Sequence, residues 1–256
     1  MIFDSHAHYD DEAFDDDREE LLSSMEKAGV GTIVNVAADL KSVETTLALA
    51  QKWPALYAAL GVHPSFAGEL DEPSFRWLWE KLEEEKVVAV GEIGLDYYWD
   101  KEPKVRDRQK YWFARQLELA RETDLPVIIH SRDAAKDTLE VLQEKRAQEL
   151  KGVMHCFSYT KETAEKILDW GWYFGIGGVL TFKNGKKLRE AVEIIPLDRI
   201  LLETDCPYLA PEPNRGKRND SRNLAYVVSA LAGLKGVSEE EAIEITQQNA
   251  RRFFGL

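Results

Sequence analysis

Short apolar runs alternate with longer amphipathic stretches along the whole chain. Eight of these runs are rich in β-branched or apolar residues and are about as long as one buried strand, which predicts eight strands. They begin at residues 1, 32, 56, 87, 126, 152, 172 and 199. Between and after them, the spacing of apolar residues predicts helices over 15–29, 41–53, 74–86, 104–123, 134–145, 160–171, 185–195 and 238–254.

Strands that alternate with helices predict an α/β protein with a parallel sheet. The count of eight favours a single-domain (β/α)8 TIM barrel over the alternative, a doubly wound open sheet. No linker, repeat or low-complexity segment divides the chain, so we expect one domain over residues 1–256. Hydrophobic residues make up 44% of the chain, which is enough for a large buried core.

Charge and cysteine content narrow the functional classes. The formal net charge of −13 disfavours a broad nucleic-acid-binding surface, so any contact with nucleic acid must rest on a local basic patch. Two cysteines form no disulfide framework, which fits a reducing cytoplasm. The first residues carry acids where a signal peptide carries bases, and the longest apolar runs are strand-sized. We therefore expect a cytoplasmic protein that does not enter a membrane.

The histidines follow the predicted strands rather than being scattered. All five lie at strand C-termini, together with two acidic residues, Glu92 after the fourth strand and Asp205 after the eighth. In a barrel these ends converge on one face, where active sites are built. The histidines are His6, His8, His63, His130 and His155.

This combination of side chains predicts a metal site at the C-terminal ends of the strands. His6 and His8 are two residues apart, so on a strand both rings point to the same side and can reach one ion. Imidazole and carboxylate together suit zinc, manganese, iron or nickel, and magnesium when water completes the shell. The ligands outnumber the needs of one ion, which indicates two divalent ions bridged by a carboxylate.

The chain also resembles a known family, the TatD-type metal-dependent deoxyribonucleases of the amidohydrolase superfamily. The resemblance runs from end to end through ordered motifs: 4-DSHAH, 61-GVHP, 87-VVAVGEIGLDY, 126-PVIIHSRDA, 154-MHCFS, 177-GGVLTFKN, 203-ETDCPYLAP, 214-NRGKRN and 249-NARRFF. It implies a TIM barrel that hydrolyses phosphodiesters, typically as a 3′ to 5′ exonuclease on single-stranded DNA ends. Two departures, Tyr159 and 218-RNDS, bear on substrate preference rather than on the proposed ligands.

The resemblance implies a role for each site residue. His6, His8, Glu92 and Asp205 would hold one ion, and Glu92, His130 and His155 the second, with Glu92 as the bridge. The ions would be Mg²⁺, Mn²⁺ or Zn²⁺. Asp205 would orient or deprotonate the attacking water. His63 would contact the scissile phosphate rather than a metal.

A basic loop after the eighth strand supplies the local positive charge that the acidic chain otherwise lacks. Three basic residues lie in 214-NRGKRNDSR: Arg215, Lys217 and Arg218. A fourth, Arg132, lies two residues after His130 of the fifth strand. We predict that these residues bind substrate phosphate weakly and in a salt-sensitive way. Some aromatic residues near strand ends, Phe66, Tyr97, Tyr98 and Tyr208, could stack bases, although core packing explains most of them.

The sequence does not assign a single role to two further acidic residues, Asp4 and Glu203. Asp4 shares the alternation of His6 and His8 and is a candidate support for them. Glu203 is a candidate support, a third-metal ligand or a buried partner of an arginine.

Two other functions stay open beside the predicted monomeric DNA-end exonuclease. The barrel could be an amidohydrolase acting on a small amide, ester or lactone, or an aminoacyl-tRNA deacylase. Relatives of the amidohydrolase kind often bridge their metals with a carbamylated lysine, whereas the bridge here is Glu92. The site could also store metal or regulate a partner without turnover, but open water positions in a mixed ligand set argue against that.

Overall fold

Eight strands alternate with helices in the structure, a computed structural model that describes residues 1–256. Each of the eight predicted apolar runs overlaps one strand. The strands are β1 (Ile2–Ala7), β2 (Val30–Val36), β3 (Leu56–Leu60), β4 (Val87–Asp96), β5 (Val127–Arg132), β6 (Gly152–Met154), β7 (Tyr173–Ile176) and β8 (Ile200–Leu202).

Nine α-helices accompany the strands, one more than the sequence predicted. They are α1 (Arg18–Ser23), α2 (Leu40–Lys52), α3 (Glu72–Lys81), α4 (Pro103–Thr123), α5 (Ala135–Glu144), α6 (Lys161–Leu168), α7 (Lys186–Ile194), α8 (Leu224–Lys235) and α9 (Glu239–Phe254). The extra helix is α8, whose sequence LAYVVSALAGLK is apolar nearly all round and so lacks the period that marks a surface helix. The first predicted helix is shorter than expected, because α1 ends at Ser23 and turns continue to Gly29.

The strands form one sheet in chain order from β1 to β8, and neighbouring pairs run parallel. The last strand returns to the first, because Ala7 and Cys206 form a parallel bridge just beyond the end of β8. The Asp205 amide also donates to the His6 carbonyl at 2.9 Å. An ordered parallel sheet whose first and last strands meet is a (β/α)8 barrel, so the predicted TIM-barrel fold is confirmed.

The contacts within the chain divide it into two compact units, residues 1–35 with 156–256 and residues 36–155. In the first unit Phe3 stacks on Phe254 with ring centroids 5.7 Å apart. In the second, Phe75 packs against Trp112 at 5.5 Å. The predicted single domain over 1–256 stays a prediction. None of the nine α-helices combines the length and the hydropathy that a membrane-spanning segment requires.

The strand β4 is buried over its whole length although it carries two acidic residues, Glu92 and Asp96. It lies very close to β5 at Gly94, where φ is +149° and a Cβ would lie 1.9 Å from the His130 carbonyl oxygen. Only glycine allows this approach. The approach brings the carboxylates of β4 beside the imidazole of β5.

Candidate metal centre

In the first unit, three predicted ligands meet at the end of β1. The Nε2 atoms of His6 and His8 lie 3.2 Å apart, and their rings are nearly perpendicular. The Asp205 Oδ1 atom lies 3.3 Å from His8 Nε2 and 3.9 Å from His6 Nε2. All three ligand atoms therefore surround one point. Asp205 reaches it from a backbone with φ of +56°, past the end of β8.

Asp4 is fully buried and accepts hydrogen bonds from the backbone of this cluster. Its Oδ1 accepts the amides of Thr204 at 3.0 Å and His6 at 3.3 Å, and its Oδ2 accepts the hydroxyls of Thr204 at 2.7 Å and Ser221 at 2.6 Å. Burial raises the pKa of Asp4 to about 7, against the lowering effect of these hydrogen bonds. The predicted supporting role of Asp4 is consistent with this network, which ties residue 204 to residue 6.

Glu203 is buried in the same unit, and its three predicted roles, as a support, a third-metal ligand or a partner of an arginine, stay predictions. Its Oε1 accepts the Cys156 amide at 2.6 Å. Its carboxylate occupies the space beside Gly175, where a Cβ would lie 2.0 Å from Oε2. The absence of a side chain at residue 175 is therefore what makes room for this buried carboxylate.

In the second unit, Glu92 gathers two of the predicted histidines. Its Oε1 lies 2.6 Å from His130 Nδ1 and 3.7 Å from His155 Nε2. On the far side of the His130 ring, Nε2 lies 3.1 Å from Asp96 Oδ2. Burial opposes a positive charge on His130, but the two carboxylates outweigh it and raise the pKa of this histidine. When Nε2–H is donated to Asp96 and Nδ1 gives up the proton that it shares with Glu92, the Nδ1 lone pair faces Glu92, which is the tautomer that can bind a metal there.

His63 joins this cluster, with its ring 4.2 Å from the His130 ring. Its ligand atom lies within 4.8 Å of those of Glu92 and His130. However, His63 Nδ1 accepts the Ser65 amide at 3.2 Å, so in a neutral ring the proton is on Nε2. An Nε2–H is a hydrogen-bond donor and not a metal ligand.

Comparison with known proteins identifies the family. The family model described as TatD related DNase matches residues 3–255. The chain belongs to the TatD family. Among similar proteins, an uncharacterized metal-dependent hydrolase of Bacillus subtilis, YabD, is 44% identical over 256 residues and both chains are covered completely. The crystal structure of YjjV, a TatD homologue from Escherichia coli, matches with a TM-score of 0.92 and 34% identity over 100% of this chain and 98% of that one.

A metal-dependent hydrolase of the TatD family needs ligands spaced for an ion, and the cluster of the first unit meets this requirement. Two ligand atoms of a tetrahedral zinc ion at about 2.05 Å lie about 3.3 Å apart. The separations of 3.2 and 3.3 Å around His8 match that value. In the second unit the 2.6 Å contact of Glu92 and His130 is a hydrogen bond, whose proton a bound ion would replace. The third separation in the first unit, between His6 and Asp205, is longer at 3.9 Å. Both clusters supply imidazole and carboxylate atoms, which bind divalent ions.

The side chains of the basic loop of this TatD protein are less available to bind phosphate than the sequence predicted. Arg218 donates to both carboxylate oxygens of Asp17, at 2.7 and 2.5 Å, and to the Ala13 carbonyl. Lys217 donates weakly to Asn214 at 3.4 Å, and the Arg215 guanidinium lies 4.2 Å from the centre of the Phe182 ring. The ion pair of Arg218 therefore weakens its case as a phosphate ligand, whereas Arg215 and Lys217 keep theirs.

One residue that contacts a candidate ligand, Asp96, was not predicted from the sequence. Asp96 is four residues after Glu92, so on a strand it faces the same side, and this parity could have identified it. Trp99 follows in the loop between β4 and α4 and is 67% exposed. Arg132, predicted to bind phosphate, lies beside this loop with its guanidinium 4.0 Å from the centre of the Tyr98 ring.

Proposed function

We propose that this hydrolase cleaves phosphodiester bonds at single-stranded DNA ends as a 3′ to 5′ exonuclease that uses two divalent ions. Imidazole and carboxylate groups supply candidate ligands for the ions: His6, His8 and Asp205 in one cluster, and in the other Glu92, whose Oε1 lies 2.6 Å from His130 and 3.7 Å from His155. When bound, such ions activate the attacking water and offset negative charge on the phosphate.

In this proposal, the chain's own residues handle protons and substrate oxygens. Asp205 is 19% exposed, so water can reach its carboxylate, which accepts the proton of the attacking water. His63 donates its Nε2–H to a non-bridging phosphate oxygen, because Ser65 fixes the lone pair on the other nitrogen. Asp96 keeps His130 in the ligating tautomer.

The observation that carries the choice of phosphate is the state of Arg132. This arginine is exposed at the end of β5, two residues after His130, and its guanidinium packs on an aromatic ring instead of pairing with a carboxylate. Arg18, Arg115 and Arg222 all have acidic partners in this acidic chain. A cation without such a partner beside a metal cluster suits an anionic substrate, and a guanidinium matches phosphate geometry. A small neutral amide or lactone carries no negative charge for this guanidinium to bind.

The test is a metal-dependence assay on 5′-end-labelled single-stranded DNA with product sizing. We expect stepwise shortening from the 3′ end with Mg²⁺ or Mn²⁺ and none with a chelator. Parallel reactions contain duplex DNA, single-stranded RNA, an aminoacyl-tRNA, p-nitrophenyl acetate and dihydroorotate. Hydrolysis of an ester, lactone or aminoacyl bond without cleavage of any phosphodiester would refute the proposal and favour the alternative classes.

A further inference from the structure

Two aromatic side chains are exposed together in the loop that joins β4 to α4. Trp99 is 67% exposed and Tyr98 is 45% exposed, and their rings meet edge to face with centroids 4.6 Å apart. Exposed tryptophan beside exposed tyrosine is costly for a surface that binds nothing, because both rings keep large apolar areas in water. The exposure of Tyr98 also excludes the core-packing role that the sequence favoured for most of the aromatic residues near strand ends.

The loop that carries these rings is fixed in place by hydrogen bonds. Asp96 Oδ1 accepts the amides of Tyr98 at 2.9 Å and Trp99 at 3.3 Å. The buried Gln109 donates to the Asp96 carbonyl at 3.2 Å and to Asp100 Oδ2 at 2.8 Å, which braces the loop at both ends. The rings are therefore presented on an anchored backbone, as a binding surface requires.

One carboxylate connects this loop to the metal cluster of the second unit. The Oδ1 atom of Asp96 holds the loop amides, and its Oδ2 atom holds His130 Nε2 at 3.1 Å. The aromatic pair therefore lies one side chain away from a proposed metal ligand. A group bound on the rings would be close to a phosphate bound at the cluster.

A cation completes the surface. The Arg132 guanidinium lies 4.0 Å from the centre of the Tyr98 ring and 5.7 Å from that of Trp99. Two aromatic rings supply apolar faces for a planar group, and the guanidinium supplies charge for an anion. A nucleobase joined to a phosphate is the ligand that combines these two properties.

We propose that Tyr98, Trp99 and Arg132, here called the aromatic platform, bind the unpaired nucleobase next to the scissile phosphate. The inference rests on the proposed phosphodiester hydrolysis and specifies its substrate as a nucleic acid strand with an unstacked base. Duplex DNA binds poorly here because its bases are already stacked and paired. All four bases bind, since each has an apolar face.

The test compares two chromogenic phosphodiesters that share one leaving group. Thymidine 5′-(p-nitrophenyl phosphate) carries a base, and methyl p-nitrophenyl phosphate carries none. The readout is the ratio of kcat/KM for the base-bearing ester to that for the base-free ester. We expect Trp99→Ala to lower this ratio at least about fivefold, which is the lower end of base stacking on an aromatic ring. Trp99→Phe should keep most of the ratio, and Trp99→Leu should lose it.

Trp79 provides a matched control, because it is a tryptophan that is 41% exposed on α3. Trp79→Ala should leave the ratio at the wild-type value. If Trp99→Ala lowers kcat/KM for both esters equally, or for neither, the aromatic platform does not bind a base, although the proposed hydrolysis stands.

A binding measurement separates failure of the inference from failure of the proposed function. Fluorescence anisotropy follows a labelled thymidine hexamer and an abasic hexamer of equal charge on Asp205→Asn protein with Mn²⁺. We expect the added Trp99→Ala change to weaken binding of the thymidine hexamer at least about fivefold and to abolish the preference over the abasic one. If wild-type protein hydrolyses neither ester, the proposed function fails, and equal affinity for both hexamers then overturns the platform as well.

Discussion

The Asp96 carboxylate offers the sharpest test of how the second metal cluster is built. In Asp96→Asn the amide oxygen stays on the Tyr98 and Trp99 amides, where Asp96 Oδ1 accepts two hydrogen bonds. The amide NH2 group then replaces Oδ2, which lies 3.1 Å from His130 Nε2. An NH2 group donates, so it forces Nε2 to accept and moves the imidazole proton to Nδ1. That proton occupies the lone pair that faces Glu92.

The expected size of the effect follows from this single contact. Loss of a carboxylate that orients a metal-binding histidine typically weakens metal binding about 10- to 100-fold. At 1.36 kcal/mol per tenfold change, this is about 1.4–2.7 kcal/mol of metal-binding free energy. The free energy of unfolding of the metal-free protein should change by less, because the loop amides keep their acceptor and the side chain keeps its volume.

Isothermal titration calorimetry with Mn²⁺ or Zn²⁺ measures the affinity, and the ¹⁵N chemical shifts of the imidazole report the tautomer. Asp71→Asn is the matched control, because Asp71 also accepts a backbone amide, that of Ser74, at the start of α3. Metal affinity and tautomer that match wild type in Asp96→Asn would refute the assignment of His130 as a ligand held by Asp96.

Two further predictions concern stability. Gly175→Ala should lower the free energy of unfolding, measured by urea denaturation, by at least about 1–3 kcal/mol, because its Cβ would lie 2.0 Å from Glu203 Oε2. Gly233→Ala in α8 is the control, since its Cβ would meet no atom within 4 Å. It should raise the free energy of unfolding by up to about 1 kcal/mol. An unchanged Gly175→Ala protein would show that the Glu203 pocket is not tightly packed. Arg218→Met should cost under about 1 kcal/mol at pH 7, because its ion pair with Asp17 is partly exposed. The hydrogen bond from Arg218 lowers the pKa of Asp17. The cost of Arg218→Met is therefore fully present above the ordinary carboxyl pKa and disappears as the pH falls through the lowered pKa of Asp17. A cost that persists at about pH 2 would contradict the pairing.

The strand pattern and the grouping of candidate ligands at the strand ends could be predicted from the sequence, because burial in a parallel sheet leaves continuous apolar runs and polar residues stand out at their ends. His6 and His8 show this most clearly, since strand alternation alone puts both rings on one side and the structure brings their Nε2 atoms to 3.2 Å. The same alternation extends from Glu92 to Asp96. The prediction missed Asp96 because the apolar run ended before the strand did.

Ion pairs and ring contacts between residues far apart in the chain could not be predicted from the sequence. The Arg218–Asp17 ion pair joins positions 201 residues apart, and nothing in the basic loop indicates which acid neutralises it. Arg132 is a similar case, since a cation two residues after a ligand histidine suggests phosphate but not an aromatic partner. Helix α8 was missed for a different reason: its exposed positions are also mostly apolar, as Tyr226 shows, so the sequence lacks the periodicity on which helix prediction depends.

The most direct test of the account is metal-dependent cleavage of single-stranded DNA by Glu92→Ala and Asp205→Ala proteins, each compared with wild type at matched fold by circular dichroism. Glu92 contacts two histidines in its cluster, and Asp205 completes the other cluster, so each change removes a ligand from a different set. We predict folded proteins whose metal-dependent cleavage falls by at least about a thousandfold, as expected when a metal centre and its proton acceptor are lost. Wild-type rates in both variants would contradict the claim that these clusters perform the hydrolysis.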